Sequence, residues 1–169
     1  WNDDGTLILT ASSGGVTSNT STEVTFTLIN TAGNQNSPSV SVQATIQDGS
    51  GTSIGTVAKT VLTKPDTDLY GVANGRNPLE VLVPAFTVKT IEQSTPFAGA
   101  SNGLTVTLTS NYHLADGSNV TITGLTGSQT PSSSSFSVQS SPSKLGTSGV
   151  WDDDGTLILT ASSGGVTSN

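Results

Sequence analysis

The chain has 169 residues, a formal net charge of −7 and a pI near 4.2, with 10% charged residues and no cysteine. Its five lysines and arginines are scattered singly, which argues against the basic footprint that nucleic acid or an anionic membrane surface demands, and no apolar run approaches the roughly 18 residues of a transmembrane helix. Ser and Thr fill about a third of the positions while strong helix formers are sparse, so the composition predicts an all-β protein of ordinary domain size.

The first 19 residues, WNDDGTLILTASSGGVTSN, recur at 151–169 with a single change, Asn2 to Asp152. Nothing else in the chain repeats, so the sequence reads as one period of 150, the offset between Trp1 and Trp151, plus an overlap. A period that long holds enough chain for its own core, unlike the 20 to 50 residues of a solenoid repeat. We therefore expect one repeat over 1–150 and the start of the next over 151–169. The N-terminus lacks the basic start and apolar stretch of a signal peptide, which for an internal period says nothing about export. The absence of cysteine fits either side of a membrane equally well.

Period-two alternation, the mark of a strand with one buried face, recurs along the chain. Residues 6–11, TLILTA, place Leu7 and Leu9 on one face and Ile8 on the other. Residues 23–29, EVTFTLI, set Val24, Phe26 and Leu28 inward, and residues 40–46 repeat the scheme. Asp48-Gly49 predicts a turn into a return strand through Ile54, Val57 and Val61.

Residues 64–78, KPDTDLYGVANGRNP, read as a long loop, a type that is usually functional or partly disordered. Strand pattern resumes over 79–91, with Pro84 marking an edge or a bulge, and again through Leu104, Val106 and Leu108. Ala115-Asp116-Gly117 turns the chain toward Val120 and Ile122. The serine-rich stretch 127–143 reads equally as a linker or as an edge strand around Phe136 and Val138. Together these elements predict an antiparallel β-sandwich of about eight to ten strands with Ig-like, Greek-key connections; a closed barrel is the alternative.

Asp154-Gly155, between the incoming segment at Val150 and the outgoing LIL at Leu157, Ile158 and Leu159, predicts a hairpin across the repeat boundary. A junction of paired strands would resist bending, and those three residues are apolar on both faces, so the strand needs cover on both. One reading lends it to the neighbouring repeat's sheet, anchored by Trp151 and correspondingly Trp1. The other makes it the first strand of its own sandwich, with the tryptophans ordinary core residues.

Asp152, Asp153 and Asp154 offer hard oxygens of the kind calcium takes, without EF-hand spacing; an acidic solvated turn is the plainer reading. Asn19-Thr20-Ser21 and Asn119-Val120-Thr121 fit the N-glycosylation acceptor, and the proline-flanked serines of 131–143 suit O-linked sugars. Catalysis finds little support. His113 is alone without a cysteine partner, and Glu80 and Glu92 sit on strand-type alternation rather than as a glycosidase pair.

The combination of ITGLTGSQTP at 122–131 with W-x-D-D-G-T-L-I-L-T some twenty residues later resembles tandem repeats of giant extracellular proteins of microalgae and other protists. The Thr-rich pattern is more loosely similar to Ig-like repeats of bacterial adhesins, in which calcium stiffens junctions. These resemblances imply a secreted, glycosylated, non-enzymatic surface or fibre component whose partners are neighbouring repeats of the same protein. The competing expectation is an adhesin-type module gripping glycan or protein through the 64–78 loop.

Overall fold

A computed structural model of the protein describes every residue except Trp1, Asp3, Ser13, Ser163 and residues 167–169. The described residues form an all-β, antiparallel structure with eight strands and no helix. The strands are β1 Ser41–Gln47, β2 Ser53–Val61, β3 Phe86–Gln93, β4 Leu104–Ser110, β5 Asn119–Ile122, β6 Ser133–Ser137, β7 Ser148–Asp152 and β8 Thr156–Thr160. The chain divides into two units, Trp1–Asn30 and Thr31–Asn169.

In the first unit the acidic turn closes locally. Gly5 N–H donates to Asn2 O at 3.0 Å, Asn2 N–H to Thr6 O at 2.9 Å, and Thr6 N–H to Asp4 Oδ1 at 2.9 Å. Neither expected strand, 6–11 nor 23–29, forms a ladder among the described residues. Both have the alternation, but a strand satisfies its backbone only through a neighbour, and alternation says nothing about where that neighbour comes from. Their apolar side chains are exposed: Ile8 at 72%, Leu9 at 63%, Phe26 at 57%.

The second unit holds three sheets. β1 and β2 pair as a hairpin through the expected Asp48-Gly49 turn, with Gly49 at φ 86. Asp48 Oδ1 accepts the Ser50 hydroxyl at 2.7 Å and the amides of Ser50 and Thr52 at 2.9 and 3.2 Å. The serine hydroxyl first, then the serine amide, hold this carboxyl below its ordinary 3.8. β3 pairs with β4, and the third sheet runs β5-β8-β7-β6. The serine-rich stretch thus supplies an edge strand, β6, paired with β7 from Ser133↔Trp151 to Ser137↔Ser148. Residues 79–83 differ from expectation: apart from a single bridge between Val81 and Gln35 they are not strand, and β3 begins only at Phe86, beyond Pro84.

Leu114, Val120, Leu159 and Ala161 form the buried core, and Phe86 and Leu108 from the β3–β4 hairpin pack against it with Ile122 and Leu157 from the four-stranded sheet. Two of the four core residues belong to the repeated segment. Two glycines set the local geometry beside it. A Cβ on Gly149 would lie 2.7 Å from Ile158 O, and one on Gly155, at φ 95, 2.8 Å from the backbone of Leu125 and Thr126.

Gly5 shares the left-handed backbone of Gly155, at φ 85, but a Cβ there meets nothing within 4 Å. Gly155→Ala is therefore expected to cost about 2–4 kcal/mol, strain and overlap together, while Gly5→Ala carries the left-handed strain alone, about 1 kcal/mol. Urea denaturation of the two variants checks this; equal losses would contradict it. In a separate titration by NMR, the Asp48 carboxyl is expected to protonate below 3.8. Its contribution to folding is present above the unfolded-state value and is lost as pH falls through the folded one, and Ser50→Ala is expected to raise the midpoint.

Candidate functional site

The site is the repeated segment at 151–166 and the slot that holds it. β7 enters through Val150 and Trp151, turns at Asp154-Gly155, with Gly155 N–H on Asp152 O at 3.0 Å, and returns as β8. Val150 lies opposite Ile158, Trp151 opposite Leu157 and Asp152 opposite Thr156. On its other edge β8 pairs with β5, matching Val120 to Leu159, Thr121 to Ile158 and Ile122 to Leu157. The hairpin expected from Asp-Gly is thus present, and its outgoing arm lies between β5 and β7.

Beyond β8 the segment stays bound to the same unit. Ala161 N–H reaches Ser118 O and its carbonyl accepts Gly117 N–H, at 2.8 and 2.9 Å. Leu114 and Val166 exchange both backbone bonds, at 2.8 and 2.7 Å. Gly164 N–H donates to Asp116 Oδ1 at 3.0 Å. A Cβ on Gly165, at φ 70, would strike the Leu114 carbonyl, so the bare backbone is what permits that approach.

Trp151 is the anchor. It is 5% exposed, its indole Nε1–H donates to Thr130 O at 3.0 Å, and its ring lies 5.9 Å from that of Phe136. Ser132 ties the turn down from the same stretch, its Oγ accepting Asp153 N–H at 2.9 Å. Sequence reasoning missed Thr130 and Ser132 as partners, because serine and threonine occur throughout the chain and neither stands out. The corresponding expectation for Trp1 lies outside the described residues. Leu159 is 8% exposed and Leu157 and Ile158 are half-buried, so β8 has cover on both faces.

The two copies differ sharply in environment. Leu9, 63% exposed, becomes 8% at Leu159, and Ala11, exposed, becomes 2% at Ala161. Local sequence is the same in both apart from Asn2 and Asp152, so the burial of the second copy is supplied by β5, β7 and the chain around Leu114.

The remaining candidates scatter. Asp152, Asp153 and Asp154 are exposed; Asp152 Oδ1 accepts Asp154 N–H at 3.3 Å, and among the described residues no three acidic or histidine side chains gather as a cation would need. Asn119 is exposed at the start of β5, its Oδ1 accepting the Thr160 hydroxyl at 3.0 Å, and Asn19 is exposed at φ 57. Glu80 Oε2 takes Ser37 N–H at 2.7 Å, while Glu92 lies in β3 opposite Thr105. His113 is half-buried, with its amide on Tyr70 O at 2.8 Å. The 64–78 loop is braced from within: Asn77, 8% exposed, exchanges bonds of 2.8 and 2.9 Å with Asp66, and Leu69 and Val72 bond each other.

Compared with known proteins, the chain matches no family model, no curated protein and no solved structure.

The anchor's two contributions separate by substitution. Trp151→Phe keeps ring packing but leaves Thr130 O without its donor, an expected loss of about 1–2 kcal/mol, and Trp151→Ala adds a cavity for about 3–5 kcal/mol in all. Equilibrium denaturation reads both, and two variants of wild-type stability would contradict the role given to Trp151.

Proposed function

We propose that the protein is a structural repeat of an extracellular fibre, filament or cell-surface protein, built of β-sandwich units joined head to tail by strand pairing. The observation that carries this reading is the contrast between copies: Thr156–Thr160 is a strand paired on both edges with Leu159 buried, while the matching residues 6–10 are in no ladder among the described residues and Leu9 is exposed. The first copy has every residue needed to serve a neighbouring unit as the second copy serves β5 and β7. Donation of an extended segment to a sheet gives affinity through main-chain bonds and register through alternate side chains.

A chain linked this way transmits tension through a ladder and its anchor rather than through a flexible linker. No step in this role requires a reaction, so the reading assigns no catalytic residue. Asn19 and Asn119 are exposed on this reading's outer surface and would carry N-linked glycans, helping a weakly charged fibre stay dispersed. A binding-module reading draws on the 64–78 loop, whose Tyr70 is 74% exposed at φ 53 on an internally bonded frame.

Residues 1–150 alone, which lack the strand that fills the slot, are expected to form linear oligomers in sedimentation and electron microscopy, each chain's N-terminal segment entering the next chain's slot. Excess synthetic peptide of sequence 151–169 is expected to cap these as monomers. A species that stays monomeric without peptide, and is unaffected by it, would overturn the head-to-tail reading.

A further inference from the structure

We propose that a following copy donates a second strand: its residues 23–29 pair along the open edge of β4 and close the apolar groove between the β3–β4 hairpin and β5. This rests on the head-to-tail reading and extends it from one donated strand to two.

The edge is defined by backbone alternation. Among the described residues β4 has β3 on one side and no strand on the other. Odd-numbered residues serve that side: Asn111 N–H reaches Ala85 O at 3.1 Å, Gly103 O accepts Ser94 N–H at 2.9 Å, and Thr109 O accepts the Thr87 hydroxyl at 3.1 Å. Period two then aims the amides and carbonyls of even residues 104–110 to the opposite edge. Leu114, also even, already holds Val166 through two bonds.

Val166 corresponds to Val16. When residues 1–19 of a following copy take the place of 151–169, Val16 stands at Leu114 and the chain goes on, antiparallel, toward β4. Extending that register places Val24 opposite Val106 and Phe26 opposite Leu104. Cross-strand partners share a face: Val106 lines the groove, about 430 Å³, with Phe86, Leu108, Val120 and Ile122, and Leu104 lines a second hollow that shares Ile91 and Leu125 with it. A one-residue slip would turn Thr25 and Thr27 to the groove and Val24 and Phe26 to water, so the apolar pattern selects the register.

The occupant has its own reasons to be there. Residues 23–29 alternate cleanly yet pair with nothing among the described residues, with Val24 51%, Phe26 57% and Ile29 98% exposed. The division of the chain falls after Asn30, not after Asn19, which groups this stretch with the donor segment rather than with the unit that follows it.

Because the chain has no cysteine, engineered disulfides read the arrangement directly. The full chain is extended past Asn169 by a second copy of residues 20–169. Four pairs are compared under mild oxidation: Val106→Cys with second-copy Val24→Cys; Val106→Cys with second-copy Thr25→Cys; as the junction control, Thr121→Cys with Ile158→Cys; and, as a repeat of the first, Leu104→Cys with second-copy Phe26→Cys. The first pair is expected to close at least ten-fold faster than the second, with the control closed, and Leu104→Cys with second-copy Phe26→Cys is expected to repeat the result. Control closure with the first two pairs alike overturns the second strand and leaves the head-to-tail reading standing. A control that stays open overturns both.

Discussion

The architecture depends on the two-sided pairing of β8. Five residues, Thr156–Thr160, lie between β5 and β7, so their amides and carbonyls find partners on both edges while Leu159 reaches the core. Removing this strand would break the four-stranded sheet in the middle, leaving β5 on one side and β7–β6 on the other. It would also withdraw Leu159 and Ala161 from a core whose other buried members are Leu114 and Val120. No local interaction could compensate. The first copy has the same Asp-Gly pair and, apart from Asn2 in place of Asp152, the same side chains, and without flanking strands among the described residues it stays exposed.

Backbone pairing and side-chain anchoring divide the work. The ladder sets position, because a slip by one residue would trade Leu157 and Leu159 for Ile158 on the core side. Trp151 and its bond to Thr130, together with glycines at 149, 155 and 165 whose neighbours exclude a side chain, hold the turn and the tail in that position.

Much of this was legible in the residues. The Asp48-Gly49 and Asp154-Gly155 turns, the alternation of 40–46 and of 104–108, and the apolar faces of β8 all correspond to elements that form. The same alternation at 6–11 and 23–29 does not produce strands, because periodicity reports which face seeks cover and is silent on the partner. In the serine-rich stretch the outcome turned on Phe136, whose ring meets Trp151, a contact across fifteen positions of sequence that composition cannot reveal. Residues 79–83 carry apolar side chains of strand type, yet Leu79 sits at φ 57 and Pro84 lacks a donor, so only the bridge at Val81 survives.

Amide hydrogen exchange at the two copies tests the central claim most directly, since NMR resolves identical residues in different surroundings. The account predicts that Leu157, Ile158 and Leu159 exchange only with global opening of the second unit, while Leu7, Ile8 and Leu9 exchange at nearly the rate of an unstructured peptide. Comparable protection in both copies, or its absence from both, would contradict the claim that the segment becomes a strand only when β5 and β7 flank it.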